Sequence, residues 1–271
     1  MSESAMSGAP PAPREREPGG FLVGAYRVTS RNMYVWWRYA LTSMVGNFGE
    51  PLLYLLALGF GLGRVVPKLG GMSYAAFIAP GLVVSTVMYT ATFEGTFGSY
   101  TRLATQKTYD AILATPITVH ELIAGEVIWG GIKSSFGAAS VLLVISLFGL
   151  VPSWLSLFTL PLGFLSGMMF TAMAMGITAI SKSYEFFNYY FTLVVAPMFL
   201  FSGIFFPLDK MPGWVVVFAQ FLPLTHVVEI SRALVRGTPG VAMAWHAAAM
   251  LFILVASYAI CSSLLQRRLR I

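Results

Sequence analysis

Charge is what this chain has least of. Aspartate, glutamate, lysine and arginine together make up 10% of its 271 residues, against roughly 25% in a typical soluble domain, which is too little to cover a water-facing surface of that size. Cysteine occurs once, at Cys261, so an internal disulfide framework and any multi-cysteine metal site are excluded. The three histidines, His120, His226 and His246, lie far apart along the chain, and no metal site or catalytic set is expected from them. No short apolar core with a small-residue cleavage site follows the first residues, so no signal peptide is expected. Apolar residues are abundant instead: 57% are hydrophobic and mean hydropathy is +0.74. This is the composition of a polytopic membrane protein. The formal net charge of +6 does not imply a nucleic-acid partner, because no basic stripe interleaved with aromatics lies on a polar domain.

Residues 1–20 are rich in proline, glycine, serine and charge and are expected to be disordered. Over residues 21–39 the pattern changes. Arg27, Arg31 and Arg38 recur at helical spacing among Tyr26, Tyr34, Trp36, Trp37 and Tyr39, and arginines with aromatics suit the headgroup layer. An amphipathic helix lying on the cytoplasmic surface is expected there. Residues 40–271 then carry six apolar runs, each near the ~20 residues that cross ~30 Å of hydrocarbon. They cover Ala40 to Val66, Tyr74 to Gly98, Val119 to Gly149, Leu155 to Ile180, Asn188 to Phe206 and Ala244 to Leu265. The fold class expected is an all-α membrane protein with six transmembrane helices, an amphipathic surface helix before the first and a re-entrant hairpin between the fifth and sixth.

An even number of spans puts both termini on one side. Arg14, Arg16, Arg27, Arg31, Arg38, Arg102, Lys107, Lys182, Arg267, Arg268 and Arg270 fall on that side, against Arg64, Lys68, Lys210, Arg232 and Arg236 on the other. The positive-inside rule therefore places both termini in the cytoplasm.

The polar residues within the runs are few enough to weigh singly. Glu50 stands about 15 Å into the first span, and Pro51 beside it removes the helix bond to the carbonyl of Asn47. A charge there costs at least about 2.5 kcal/mol by insertion scales, so Glu50 should be protonated, hydrogen-bonded or in a wet cavity. A place on the pathway and polar glue between helices both fit Asn47, Glu50 and Pro51. Glu94, one turn from the cytoplasmic end of span two, reads as an interfacial carboxylate or a second pathway residue. Glu126 and Lys133 are seven apart on one helix face, which fits an ion pair, and Lys133 has the length to snorkel to the cytoplasmic boundary. Gly59, Gly63, Gly163 and Gly167 permit close helix approach.

Enzyme motifs fail on inspection. His120-Glu121 opens like a zinc-protease helix, but the fifth position is Ala124. Gly130, Gly131, Lys133 and Ser134 fall short of a Walker A because Ile132 separates glycine from lysine. Ser166-Gly167 lacks the glycine two places before the serine that an intramembrane protease wants; Phe164 stands there.

The segment between spans five and six is the most specific. Phe201-Ser202-Gly203-Ile204-Phe205-Phe206-Pro207 is followed by Met211-Pro212, then by Leu222-Pro223-Leu224-Thr225-His226 and a helix through Glu229 and Arg232. A proline-broken hairpin is tolerated at membrane depth only where its freed backbone groups are buried in protein or face water. In order and spacing these residues resemble the carboxy-terminal signature of ABC-2 type exporter permeases. Gly46-Asn47 with Glu50-Pro51-Leu52, Ala91-Thr92-Phe93-Glu94, Gly125-Glu126 with Trp129 and Lys133, and Leu264-Leu265-Gln266-Arg267-Arg268 are similar to the nodulation protein J branch, which has daunorubicin-type drug permeases as relatives. The likeness covers about Val28 to Arg270.

The resemblance implies a half-transporter of the bacterial cytoplasmic membrane. A second copy of the chain would pair with it and two separate ABC ATPase subunits would dock below, so that this chain binds no cofactor and ATP and Mg sit on the partner. The docking link implied lies between spans two and three, with Tyr100, Arg102, Gln106, Lys107, Tyr109, Asp110, Ile112, Leu113 and Pro116; a plain solvated loop is the other reading of it. Arg27, Arg31 and Arg38 would support the same contact. The hairpin, with Gly203, Phe205, Phe206, Pro207, Pro212, Trp214, Pro223, His226, Glu229 and Arg232, would shape an outer exit lined by Phe205, Phe206 and Trp214. A lipid-like, glycolipid or oligosaccharide, or amphipathic drug cargo fits the aromatic content. The rival class is an ion-gradient-driven secondary transporter with Glu50 as its proton site, which transport following pH without ATP would favour.

Overall fold

The computed structural model describes residues 20–65, 68, 69 and 71–269, and of residues 44–48 and 50 the backbone only. The proline-rich head, Arg270, and the side chains of Asn47 and Glu50 lie outside the described residues. The described chain is helical throughout apart from its loops, an isolated bridge between Leu69 and Met72 being its only extended pairing. Among the described residues, four helices are long and apolar enough to cross a membrane: Tyr74–Thr105, Val119–Leu147, Trp154–Ile180 and Val241–Leu269. The remaining two spans expected from the sequence correspond to shorter apolar helices, Pro51–Arg64 and Glu185–Phe201. The first of these continues an unbroken helical run that begins at Ala40. The protein is thus an all-α membrane protein.

Helix α1 (Gly20–Trp37) lies against the start of α5 (Val119–Leu147). Its inward stripe is Gly24, Ala25, Val28, Thr29, Asn32 and Trp36, a three-to-four spacing that keeps one face of a helix together. Small residues let the backbones approach: a Cβ on Gly125 would stand 2.5 Å from that of Val28, and the Thr29 hydroxyl donates to the Gly125 carbonyl at 3.0 Å. Trp36 closes the contact against Trp129 and Phe136.

Span one is α2 (Ala40–Tyr54) continued through a wide turn at Leu55–Gly61 and a tight one at Leu62–Arg64. Span two is α3 (Tyr74–Phe93), started by the Ser73 hydroxyl, which accepts from the Ala76 amide. It does not end at Gly98 as expected. Two further wide turns, Glu94–Gly98 and Thr101–Thr105, carry it on into the link. There Lys107 adopts a left-handed φ of 55°, uncommon for a residue with a side chain, and turns the chain into the short α4 (Thr108–Leu113). Helix α5 starts on a capping box, with Thr118 and Glu121 satisfying each other's free backbone amides.

Span four is α6 (Thr159–Ile180), entered through a tight turn at Trp154–Phe158. It crosses α5 where Gly167 meets Ser134, Gly163 meets Ala138 and Gly130 meets Thr171, which is the packing role expected of Gly163 and Gly167. Span five comprises α7 (Glu185–Tyr190), a wide turn at Phe191–Val195 and α8 (Ala196–Phe201). Helices α9 (Gly213–Gln220) and α10 (Pro223–Arg236) meet at 92°. Span six is α11 (Val241–Leu269).

Candidate functional site

At the end of the bundle where α1, the tail of α3, α4 and the start of α5 converge, two carboxylates and two cations are buried together. The Arg102 guanidinium donates through Nη2 to Glu94 Oε1 at 2.7 Å and to Glu126 Oε2 at 2.6 Å. The Lys133 ammonium donates to Glu94 Oε2 at 2.6 Å. Asn32 on α1 donates to Glu126 Oε1 at 2.9 Å, and Arg31 donates to the Asn32 carbonyl oxygen at 2.8 Å. The side chains of Glu94 and Glu126 are 6% and 1% exposed, so neither could carry its charge there without these donors.

The pairing differs from that expected. Glu126 and Lys133 share a helix face but do not pair; each turns to a partner on the wide turns that continue α3, because these supply a carboxylate and a guanidinium within reach while the two residues stand two turns apart on α5. The Lys133 ammonium is held by Glu94. Glu94 is a buried junction of the network.

Next to the network is a cavity of about 260 Å³ lined by Ser43, Pro51, Tyr54, Leu82, Ser85, Thr86, Tyr89, Thr90, Phe93, Lys133 and Phe199. Spans one, two and five form most of its wall, with Lys133 added from span three, and one, two and five contain wide helical turns, a feature frequent at functional sites. Ser85 and Thr86 both donate to the Leu82 carbonyl at 3.0 Å, which leaves their lone pairs to accept from whatever occupies the space. Lys133 is the cation on its lining, so one side chain belongs to both the cavity and the ionic network.

The hairpin at the opposite end is anchored by Arg232, which donates through Nη2 to the Gly203 carbonyl at 2.7 Å and through Nη1 to Glu229 at 2.6 Å, and stands 4.5 Å over the Phe77 ring. Gly203 has a φ of +78°, the left-handed conformation that favours glycine, and this turn presents its carbonyl to the arginine. The Tyr74 hydroxyl donates to the Phe205 carbonyl at 3.2 Å, and the Ser231 hydroxyl to the Pro80 carbonyl at 2.9 Å. His226 and His246 meet at 2.9 Å between their Nδ1 atoms, while His226 Nε2 lies 3.0 Å from the Gln220 carbonyl. That second contact needs a proton on His226 Nε2, so His226 Nδ1 accepts from His246. Phe205 packs inside against Tyr54 and Phe199, whereas Phe206 and Trp214 are exposed; the three do not form one lining. Pro207 and Pro212 flank the exposed turn Leu208–Lys210, and Pro223 opens α10.

Residues 25–236 match the profile of the family described as ABC-2 type transporter. The chain belongs to the ABC-2 type transporter family. It is 37% identical to nodulation protein J of Rhizobium leguminosarum bv. trifolii, across 93% of this chain and 96% of that protein. It is also 37% identical to nodulation protein J of Rhizobium meliloti (strain 1021), across 89% of this chain and 92% of the relative. Similarity extends at 26% identity to the inner membrane transport permease YadH of Escherichia coli (strain K12), across 91% and 96% of the two chains.

In this ABC-2 permease the link residues singled out from the sequence divide into two sets. Tyr100, Arg102 and Tyr109 face inward: the first two because the helix of span two continues past the membrane run and turns them toward the bundle, the third from α4. Tyr100 donates to the Lys182 carbonyl at 2.6 Å. Tyr109 packs with Val28, Leu103 and Leu122. Burial, then the negative charge of Glu126, hold its phenol well above the ordinary range, so it stays neutral. Gln106, Lys107, Asp110 and Pro116 are exposed, and Ile112 and Leu113 are half-buried against the same small core. Arg27 is exposed on α1 and Arg38 in the turn after it, Arg38 stacking 5.1 Å over Tyr34, and Arg31 is half-buried. The residue that sequence reading passed over is Asn32. Its place on the stripe with Val28 and Trp36 was visible, and a lone amide on such a stripe is a signal that it meets a polar partner.

Proposed function

We propose that this chain is the membrane half of an exporter, working as a pair of copies in the bacterial cytoplasmic membrane with both termini in the cytoplasm and driven by two separate ATPase subunits. The observation that carries this reading is the continuity from surface to cavity. The exposed face of α4 and the link around it, with Gln106, Lys107, Asp110 and Pro116, leads through Tyr109 and Arg102 to Glu94, and through Lys133 to the lining of the cavity. A push on the link is therefore passed to spans two and three through short charge-assisted bonds, which resist displacement more than neutral ones. Asn32 joins the surface helix to the same junction.

The cavity suits a cargo with a hydroxyl-bearing head. Ser85 and Thr86 offer acceptors, Lys133 a donor, and Tyr54, Tyr89, Phe93 and Phe199 aromatic faces of the kind that stack on sugars. A glycolipid or oligosaccharide-bearing lipid meets all three, and an amphipathic drug meets the aromatic part alone. Membership of the ABC-2 type transporter family supports a transport role for the cavity.

The test uses the full complex in proteoliposomes. Asp110 is more than half exposed, so Asp110→Arg leaves the core untouched; ATP hydrolysis should persist while export falls roughly 2- to 30-fold, the range that ~0.5–2 kcal/mol of lost coupling allows. Full export by this variant overturns the assignment of the link. Transport that follows a pH gradient with no ATPase present would instead favour the gradient-driven reading.

A further inference from the structure

A second polar recess lies at the cytoplasmic end assigned above, away from the ionic network, between the start of α5 and the last turns of α11. It has a volume of about 480 Å³ and is lined by His120, Tyr258, Ala259, Ser262, Ser263, Gln266 and Arg267, a size within the range of small-ligand sites. Among the described residues no carboxylate lines it. Glu121, the nearest in sequence, is engaged by the Thr118 amide and hydroxyl at 2.6 and 2.8 Å. The two arginines ending α11 divide their work. Arg268 donates to the carbonyls of Thr178 and Ser181 and so ties α11 to the end of α6. Arg267 is exposed and has no hydrogen-bond or ion-pair partner among the described residues.

The neighbouring donors are oriented by bonds within the recess. Gln266 Nε2 lies 3.3 Å from His120 Nδ1 and donates to the Ser262 hydroxyl at 2.9 Å, and that hydroxyl lies 3.4 Å from the same Nδ1. With donors on Nδ1, the ring carries its proton on Nε2. Arg267, His120 Nε2 and the Ser263 hydroxyl thus give a guanidinium and two neutral donors, with no competing anion among the described residues that line the recess. Farther along α11, Phe252 and Val255 are exposed and stand at helical spacing from Ala259, Ser262 and Gln266, so one face of the helix runs from apolar to polar and ends at Arg267.

We propose that this recess binds the phosphate of an anionic membrane lipid, with Arg267 as its charged partner and the acyl chains lying along Phe252 and Val255. A free phosphate would satisfy Arg267 but leave the apolar face without a role. Basic pockets between helices on the cytoplasmic side recognise acidic headgroups in this way.

Native mass spectrometry of the full-length protein, titrated with phosphatidylglycerol and separately with phosphatidylcholine, tests it. Phosphatidylglycerol should be retained more tightly, and Arg267→Ala should weaken it about fivefold, the effect of one basic residue near a charged headgroup. Arg267→Lys should restore most of the preference, while Arg64→Ala at the other end of the bundle should leave it intact. Melting curves show whether each variant is folded; if Arg267→Ala does not fold, the loss must appear in Arg267→Gln or the proposal fails. Equal binding of the two lipids by the unaltered protein, or undiminished phosphatidylglycerol binding by Arg267→Ala, overturns the site. Complete displacement by millimolar inorganic phosphate would assign the recess to free phosphate and overturn the lipid.

Discussion

Arg102 lies between two buried carboxylates, and its removal would leave Glu126 without a cation and Glu94 with Lys133 alone. Breaking a buried pair costs about 3–5 kcal/mol, so Arg102→Ala should melt well below the unaltered protein in detergent. Pairing it with Glu126→Gln should recover part of the loss, because one of the stranded charges is then gone. Equal melting of all three proteins would show that the network contributes nothing to stability. At Gly125 the cost is steric. An added Cβ would overlap Val28 and the Ala25 carbonyl, so Gly125→Val should displace α1, which limited proteolysis after the exposed Arg27 would report as faster cleavage. Neither effect follows from residue type alone: an arginine near a membrane boundary and a glycine in a helix are ordinary, and their partners make them consequential.

Among the elements, the hairpin and the surface helix were the most legible in sequence. The prolines at 207, 212 and 223 mark where a helix cannot continue, since proline lacks the amide that the ladder needs. The inward stripe of α1 follows from its spacing. The extent of span two was not legible. Hydropathy falls after Gly98, but the backbone keeps to helix as far as Thr105 through wide turns stabilised by packing, and a scale that measures transfer into lipid says nothing of a helix that continues in contact with protein. The hairpin itself depends on Arg232 holding the Gly203 carbonyl. Arg232→Ala should loosen α9 and α10, and a cysteine placed at Ser202, buried in the folded hairpin, should react faster with a thiol reagent in that background. Unchanged labelling would mean that the bonds from Tyr74 and Ser231 hold the hairpin without it.

For the whole molecule, the engine is proposed to be elsewhere. The chain purified alone and placed in liposomes should show no ATP hydrolysis, and purification from its native membrane should bring down a Walker-motif ATPase. Hydrolysis or uphill transport by the isolated chain would end the half-transporter reading. Sidedness is open to a direct check as well: cysteines introduced at Asp110 and at Lys210, both exposed, should be labelled by an impermeant reagent from opposite faces of the membrane.

What the sequence alone determined is everything that depends on local free energy. Runs of apolar residues specify helices that lipid will accept, prolines specify breaks, and the bias of arginine and lysine specifies an orientation. These are sums over neighbouring residues and need no knowledge of what lies across the bundle; the orientation among them is an expectation that the labelling at positions 110 and 210 checks. The tertiary structure alone decided which charges are joined. Arg102 and Glu126 are 24 residues apart, Glu94 and Lys133 are 39, and Asn32 and Glu126 are 94. Electrostatic attraction depends on separation in space, and at low dielectric a few ångströms decide whether a buried carboxylate is sustained. That separation is set by how helices rotate and cross, which the glycine contacts between α1, α5 and α6 determine.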